Sequence, residues 1–184
     1  VRSRALTLVG KLLGHPIEKA IHFGSSIPAG HAWRWSTFDP RVHGLVATGS
    51  VGSFRHQFPL DGSYHSNRPY IDELTRMPEW MLRFFEQCRD PAVFGPEITP
   101  PVVQLVGTND PASPPSLVPA LLDSLGGDHH LIQIPNYGHG CASLRHIEAM
   151  RMCLDNRLLG RRLARVTLGQ RSVTDGVLHC TAQV

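Results

Sequence analysis

Residues 100–111 read PPVVQLVGTNDP, a mostly apolar run that ends in a glycine and then a polar Thr-Asn-Asp-Pro turn. A short apolar run bounded by turn residues reads as a strand, here Pro100–Val106. Working outward, the same grammar recurs. Upstream, Val42–Ala47 (VHGLVA) and Lys19–Phe23, the latter broken by Gly24 and two serines, read as buried strands. Downstream, Leu131–Ile134 (LIQI) is a fourth strand. Helical patterns alternate with them. Residues 29–38 carry Trp33, Trp35 and Phe38 and stop at Asp39-Pro40. Residues 71–88 restart at Pro78, and residues 115–125 close on Gly126-Gly127. Two further helices are expected at residues 3–14, ending on Gly14, and at residues 142–160. The apolar stripe of the latter (Leu144, Ile147, Met150, Met152, Leu154, Leu158) is expected to pack into a core. Strand–helix alternation of this kind predicts an α/β protein, a parallel sheet with helices on both faces.

Composition narrows the function classes. A chain of 184 residues is one domain, or a large fragment of a bigger one. With 41% apolar and 18% charged residues it is a folding sequence, not a disordered one. No apolar run approaches roughly eighteen residues, so no membrane-spanning helix is expected. The net charge is +3, and only Arg157, Arg161, Arg162 and Arg165 cluster. That field is too weak to predict a nucleic-acid partner. Cys88, Cys141, Cys153 and Cys180 show no C-x-x-C spacing, which leaves redox compartment and localisation open. The chain starts at Val1 without Met or a signal-peptide pattern, and is read as processed or cut from something longer.

In a parallel α/β sheet, functional groups gather at the carboxyl ends of the strands. Three turns there carry chemistry. Behind the first strand comes Gly24-Ser25-Ser26-Ile27-Pro28-Ala29-Gly30. A sharp strand-to-helix turn with small neighbours can hold a serine hydroxyl at the sheet edge, as in Gly-x-Ser-x-Gly with Ser26 at the centre. Pro28 stands where the last glycine belongs. The plainer reading is a helix start with Ser25 or Ser26 as its cap. Asp110, behind the third strand, could orient a histidine, or simply form an Asn-Asp-Pro turn. His139, in Pro135-Asn136-Tyr137-Gly138-His139-Gly140, sits between glycines and is as accessible as a general base must be, or is a plain loop histidine. Taken together they outweigh the plainer readings. Ser26, Asp110 and His139 follow three separate strands in the chain order Ser…Asp…His used by α/β-hydrolases.

These residues resemble the second half of the α/β-hydrolase fold, and most closely the PhoPQ-activated pathogenicity-related protein family. The resemblance runs over about residues 15–160. It is carried by FGSS, FDPRVHGLV, PVVQLVGTNDP and IPNYGHG. Carbohydrate esterases and dienelactone-hydrolase-like enzymes stay open beside it. The resemblance implies a serine hydrolase that cleaves carboxylic esters through an acyl-enzyme. Ser26 would be nucleophile, His139 base and Asp110 orienting acid, and the Ile27 N–H one oxyanion donor, with no metal or organic cofactor. The expected substrate is a small-molecule or carbohydrate ester. A serine peptidase of the same fold and a non-catalytic chain of hydrolase-like fold are the competing readings.

The fold that the resemblance implies has about eight strands, with the nucleophile after the fifth. Here the nucleophile follows the first. The chain is therefore expected to be the carboxyl-terminal half of a larger hydrolase, a truncated product, or a chain paired with another segment or a second copy. Residues 1–164 are expected to form the hydrolase-like domain. Residues 165–184, with Asp175-Gly176 between two short runs, read as a β-hairpin tail or the start of a β-rich extension. The Gly/Ser/Pro/His-rich residues 48–70 read as a long loop that walls the substrate. Asp61, Tyr64 and His65 sit in that loop, and Phe54, Tyr64, Tyr70, Trp80, Phe84 and Phe85 are candidates for its apolar contacts or for the core. Ser50 and Ser53 read as pocket or turn residues. Asp39 reads as a helix stop, and Cys141 is given no chemistry. Asp128-His129-His130 makes a poor metal site, because neighbours on a strand face opposite ways.

Overall fold

A computed structural model describes residues 2–50, 52, 76–139, 143–162 and 167–183. Val51, Ser53 and the wall candidates Phe54, Asp61, Tyr64, His65 and Tyr70 lie outside the described residues, as do residues 71–75, Gly140 and Cys141. The chain forms two compact units, Val1–Met150 and Arg151–Val184.

In the first unit the order is α1 (Arg2–Leu13), β1 (Ala20–Ser25), α2 (Ile27–Ser36), β2 (Val42–Thr48), α3 (Glu79–Arg89), α4 (Pro91–Phe94), β3 (Val102–Gly107), α5 (Val118–Asp123) and β4 (His129–Ile134). The helix α6 (Leu144–Leu159) begins in this unit, and the unit boundary falls within it. The four strands make one parallel sheet in the order β1-β2-β3-β4. Every residue of β3 is buried, as a central parallel strand requires. On one face Leu45, Ala47 and Val102 pack against Ala29, Ala32 and Trp33 of α2, Phe94 of α4 and Leu121 of α5. On the opposite face Val46, Val103 and Leu105 are as deeply buried, so both faces are covered.

The apolar run of β1 reads as a buried strand, yet a chain whose serine follows its first strand is also expected to leave that strand as an exposed apolar edge, and β1 is a flank of the described sheet. Only Gly24 of β1 is buried, and Phe23 is 49% exposed. An apolar run cannot by itself report whether its strand has one neighbour or two. β4 also starts two residues earlier than expected, with exposed His129 and His130. Trp80 and Phe84 are exposed on α3, whose buried residue is Glu86, so these two rings belong to no core. The stripe on α6 is corrected too. Leu144, Ile147 and Met152 are exposed, Met150 and Leu154 are half-buried, the Leu158 side chain lies outside the described ones, and among those described the buried ones are His146 and Cys153, on another side of the helix from the stripe.

Asp39 does more than stop a helix. Its carboxylate is buried and accepts from Nε and Nη2 of Arg41 at 2.8 and 2.7 Å. The same guanidinium donates to the Ser3 carbonyl at 2.8 Å and the Thr7 hydroxyl at 3.1 Å, which ties α1 to the start of β2. The Arg41 hydrogen bond holds the Asp39 carboxyl far below the usual carboxylate range, although burial pulls the other way.

In the second unit, β5 (Thr167–Thr174) and β6 (Val177–Gln183) form an antiparallel hairpin. Asp175 (φ 52°) and Gly176 (φ 75°) make its turn, the left-handed pair that a two-residue hairpin favours.

Candidate active site

The carboxyl ends of β1, β3 and β4 are built by distinct local devices. At the end of β1 the chain reverses within one residue. Ser26 has φ 56° and ψ −126°, a strained conformation for a residue with a side chain. Its N–H donates to the Thr48 carbonyl of β2 at 2.8 Å, which secures the reversal. Ser26 stands at the N-cap position of α2, but its hydroxyl makes no capping bond there. Gly24 is required by this turn. A Cβ there would lie 2.7 Å from the Ala29 nitrogen and 2.8 Å from its Cα. Ile27 is the first residue of α2, so its N–H is one of the first-turn donors that no helix carbonyl takes. Pro28, the second residue, contributes no N–H, which a helix start tolerates.

The loops behind β3 and β4 are stitched into one piece. Thr108 N–H donates to Ile134 O at 3.0 Å, and Asn109 N–H to Tyr137 O at 2.9 Å. Asn136, in the left-handed region at φ 57°, donates its N–H to the Thr108 hydroxyl at 2.8 Å. Any Cβ on Gly107 would overlap the Tyr137 carbonyl. These contacts give Gly-Thr-Asn-Asp-Pro and Pro-Asn-Tyr-Gly-His-Gly a joint meaning. The glycine lets the two loops touch, the asparagine supplies the left-handed residue, and the threonine clamps it.

The structure brings Ser26, His139 and Asp110 together. The Ser26 Oγ lies 2.8 Å from His139 Nε2. His139 Nδ1 lies 3.0 Å from each carboxylate oxygen of Asp110. With Nδ1 protonated, that N–H donates to the carboxylate and Nε2 accepts from the serine hydroxyl; the tautomer is assigned from the partners. The Asp110 side chain is fully buried, while the His139 ring is about one-third exposed. Asp110 Oδ1 also accepts the N–H groups of Ala112 and Ser113, each at 2.9 Å. The Asn-Asp-Pro turn and the orienting carboxylate are thus the same feature. The hydrogen bond from His139 to Asp110 raises the histidine pKa above its ordinary value, with burial opposing and charge attraction adding.

Sequence reading passed over Gly49. It follows β2 with φ 55°, and a Cβ on it would lie 3.2 Å from Cε1 and Nδ1 of His139 and 3.4 Å from Asp110 Oδ2. Its backbone is therefore a wall beside the imidazole–carboxylate pair. The only signal was a glycine at a strand end, which many turns share. Among the described residues, no three His, Cys, Asp or Glu side chains converge as a metal site would require, and no helix is long and apolar enough to cross a membrane.

The fold is similar to that of α/β hydrolases. The structure is similar to an α/β-hydrolase enzyme from the metagenome of sediments of the Mar Chica lagoon, Morocco (20% identity, TM-score 0.55). That match covers 84% of this chain and 68% of the other. It is similar to acetyl xylan esterases from Paenibacillus sp. R4 (20% identity, TM-score 0.64, 84% and 50% covered) and Thermoanaerobacterium sp. JW/SL YS485 (21% identity, TM-score 0.62, 83% and 51% covered). A puromycin hydrolase shares the fold at 18% identity and TM-score 0.64, over 87% of this chain and 25% of the other. The chain spans about half the length of the two acetyl xylan esterases. No protein-family model and no curated protein matches it.

Proposed function

We propose that this chain carries the nucleophile, base and acid of a serine hydrolase acting on carboxylic esters. The supporting observation is the unbroken run of hydrogen bonds from Ser26 Oγ through His139 to Asp110. In this reading Ser26 Oγ attacks the ester carbonyl carbon as its proton passes to His139 Nε2. The oxyanion that forms is met by the Ile27 N–H. It collapses by breaking the bond to the alcohol oxygen, which takes the proton from Nε2 as it leaves. Water then repeats the sequence on the acyl-serine and releases the acid. Asp110 keeps Nδ1 protonated and offsets the positive charge of the imidazolium.

Esters of small molecules or carbohydrates are the favoured substrates, since two of the structural neighbours are acetyl xylan esterases. Within the fold, kinship with the PhoPQ-activated pathogenicity-related proteins rests on the four sequence motifs alone. A peptidase is the second reading, favoured by the puromycin-hydrolyzing peptidase of Mycobacterium tuberculosis among the neighbours.

A fluorophosphonate probe tests the proposal. Covalent labelling that vanishes in Ser26→Ala is expected. Folded wild-type protein that takes up no label would sink it. Turnover of p-nitrophenyl acetate against a peptide anilide then separates esterase from peptidase.

A further inference from the structure

Gln104 is the one polar side chain of β3, and it is completely buried. By register it shares a face of the sheet with Ala47 and Leu131. Its Nε2 donates to the Ser50 carbonyl at 2.9 Å and, at a longer 3.4 Å, to the carbonyl of Leu105. Its Oε1 is buried without a partner among the described residues. Exchanging the two ends of the amide would set Oε1 against the Ser50 oxygen, so chemistry dictates which end is the donor. A valine or leucine would continue the strand and leave no oxygen unpaired. Fold stability alone therefore gives no reason for a glutamine here.

What the amide does hold is the turn at residues 49 and 50. Gly49 N–H donates to Leu105 O at 3.1 Å, and the Ser50 carbonyl accepts from Gln104, so β3 grips the turn at both residues. The backbone of Gly49 is the wall beside His139 and Asp110 described above. We propose that Gln104 is a positioning residue for His139: from inside the sheet it fixes the turn at Gly49 and Ser50, and that turn keeps the imidazole aligned on Ser26 and Asp110. The proposal rests on the hydrolase reading of the site.

The test compares the rate of Ser26 labelling by a fluorophosphonate in wild type and in Gln104→Met, with the thermal midpoint measured alongside. The maximal inactivation rate is expected to fall by about 10- to 100-fold, the effect of a misplacement of around an ångström. Half-saturating probe concentration and thermal midpoint stay close to wild type, because removal of the unpaired oxygen offsets the loss of the donor to the Ser50 carbonyl. Gln104→Asn keeps the amide but shortens its reach, and gives the same loss of rate; it serves as the readout if the methionine variant does not fold. Unchanged rates in the folded variants would overturn the positioning role and leave the hydrolase reading standing. Wild-type protein that does not label overturns both.

Discussion

The strands β3 and β1 each end in a turn that carries one group of the candidate site, yet they are built in opposite ways. β3 is buried along its whole length, and its turn hangs Asp110 on main-chain hydrogen bonds with no exposure of the carboxylate. β1 flanks the sheet with Phe23 half in solvent, and Ser26 is held by its own backbone, through a positive φ and one N–H bond to Thr48. On the proposed reading, the orienting carboxylate is carried behind a strand packed on both faces, and the serine by a turn secured through its backbone. His139 is intermediate, on a loop behind β4 that is clamped to the acid loop.

The contrast can be broken in several ways. The largest effect is expected from Asp110→Asn, which keeps the shape but favours the wrong imidazole tautomer. Its esterase kcat/KM is expected to drop by about 10⁴-fold while the protein stays folded by circular dichroism; a loss of only a few-fold would mean that the buried carboxylate is structural. Next come two truncations read by denaturant unfolding. Leu105→Ala, at a fully buried position of β3, is expected to cost about 2–5 kcal/mol. Phe23→Ser on β1 is expected to cost about 1 kcal/mol or less. Equal costs would show that the flank is covered in solution. The smallest effect is in pH dependence. The base must be neutral to accept a proton, so kcat/KM is expected to rise with pH through an apparent pKa above the ordinary value near 6.5, the direction set by Asp110. The stability contribution runs in reverse. It is complete below the unfolded-state value and fades as pH climbs through the raised native one. An acid limb lying below the ordinary value would show that the Asp110 hydrogen bond does not set the titration of His139.

Much of this arrangement is legible in the chain because each group stands directly behind an apolar run, where a parallel sheet must expose its turns. The flank position of β1 was not legible from its own residues, since apolar side chains in Lys19–Phe23 look alike whether one neighbour or two cover them; it followed only from the serine's place behind the first strand. Nor was the exposure of the α6 stripe. Leu144 and Ile147 have the right spacing to pack inward, yet the residue carried inside is His146, whose ring lies against Tyr137 at 5.0 Å and bonds Ser143. Arg41 and Gln104 escaped notice for a related reason. The partner of Gln104 is the backbone carbonyl of Ser50, and one partner of Arg41, beside the Asp39 carboxylate and the Thr7 hydroxyl, is that of Ser3; a carbonyl leaves no mark in the letters of a sequence.

The contact between Gly107 and Tyr137 also bears on attempts to redesign this protein. The loops behind β3 and β4 are locked as one unit, so a library that randomises position 107, or replaces Asn136 with a β-branched residue, would yield mostly misfolded clones. Useful diversity has to enter elsewhere, and Ile27 is an open place to begin: its side chain is 64% exposed beside the serine.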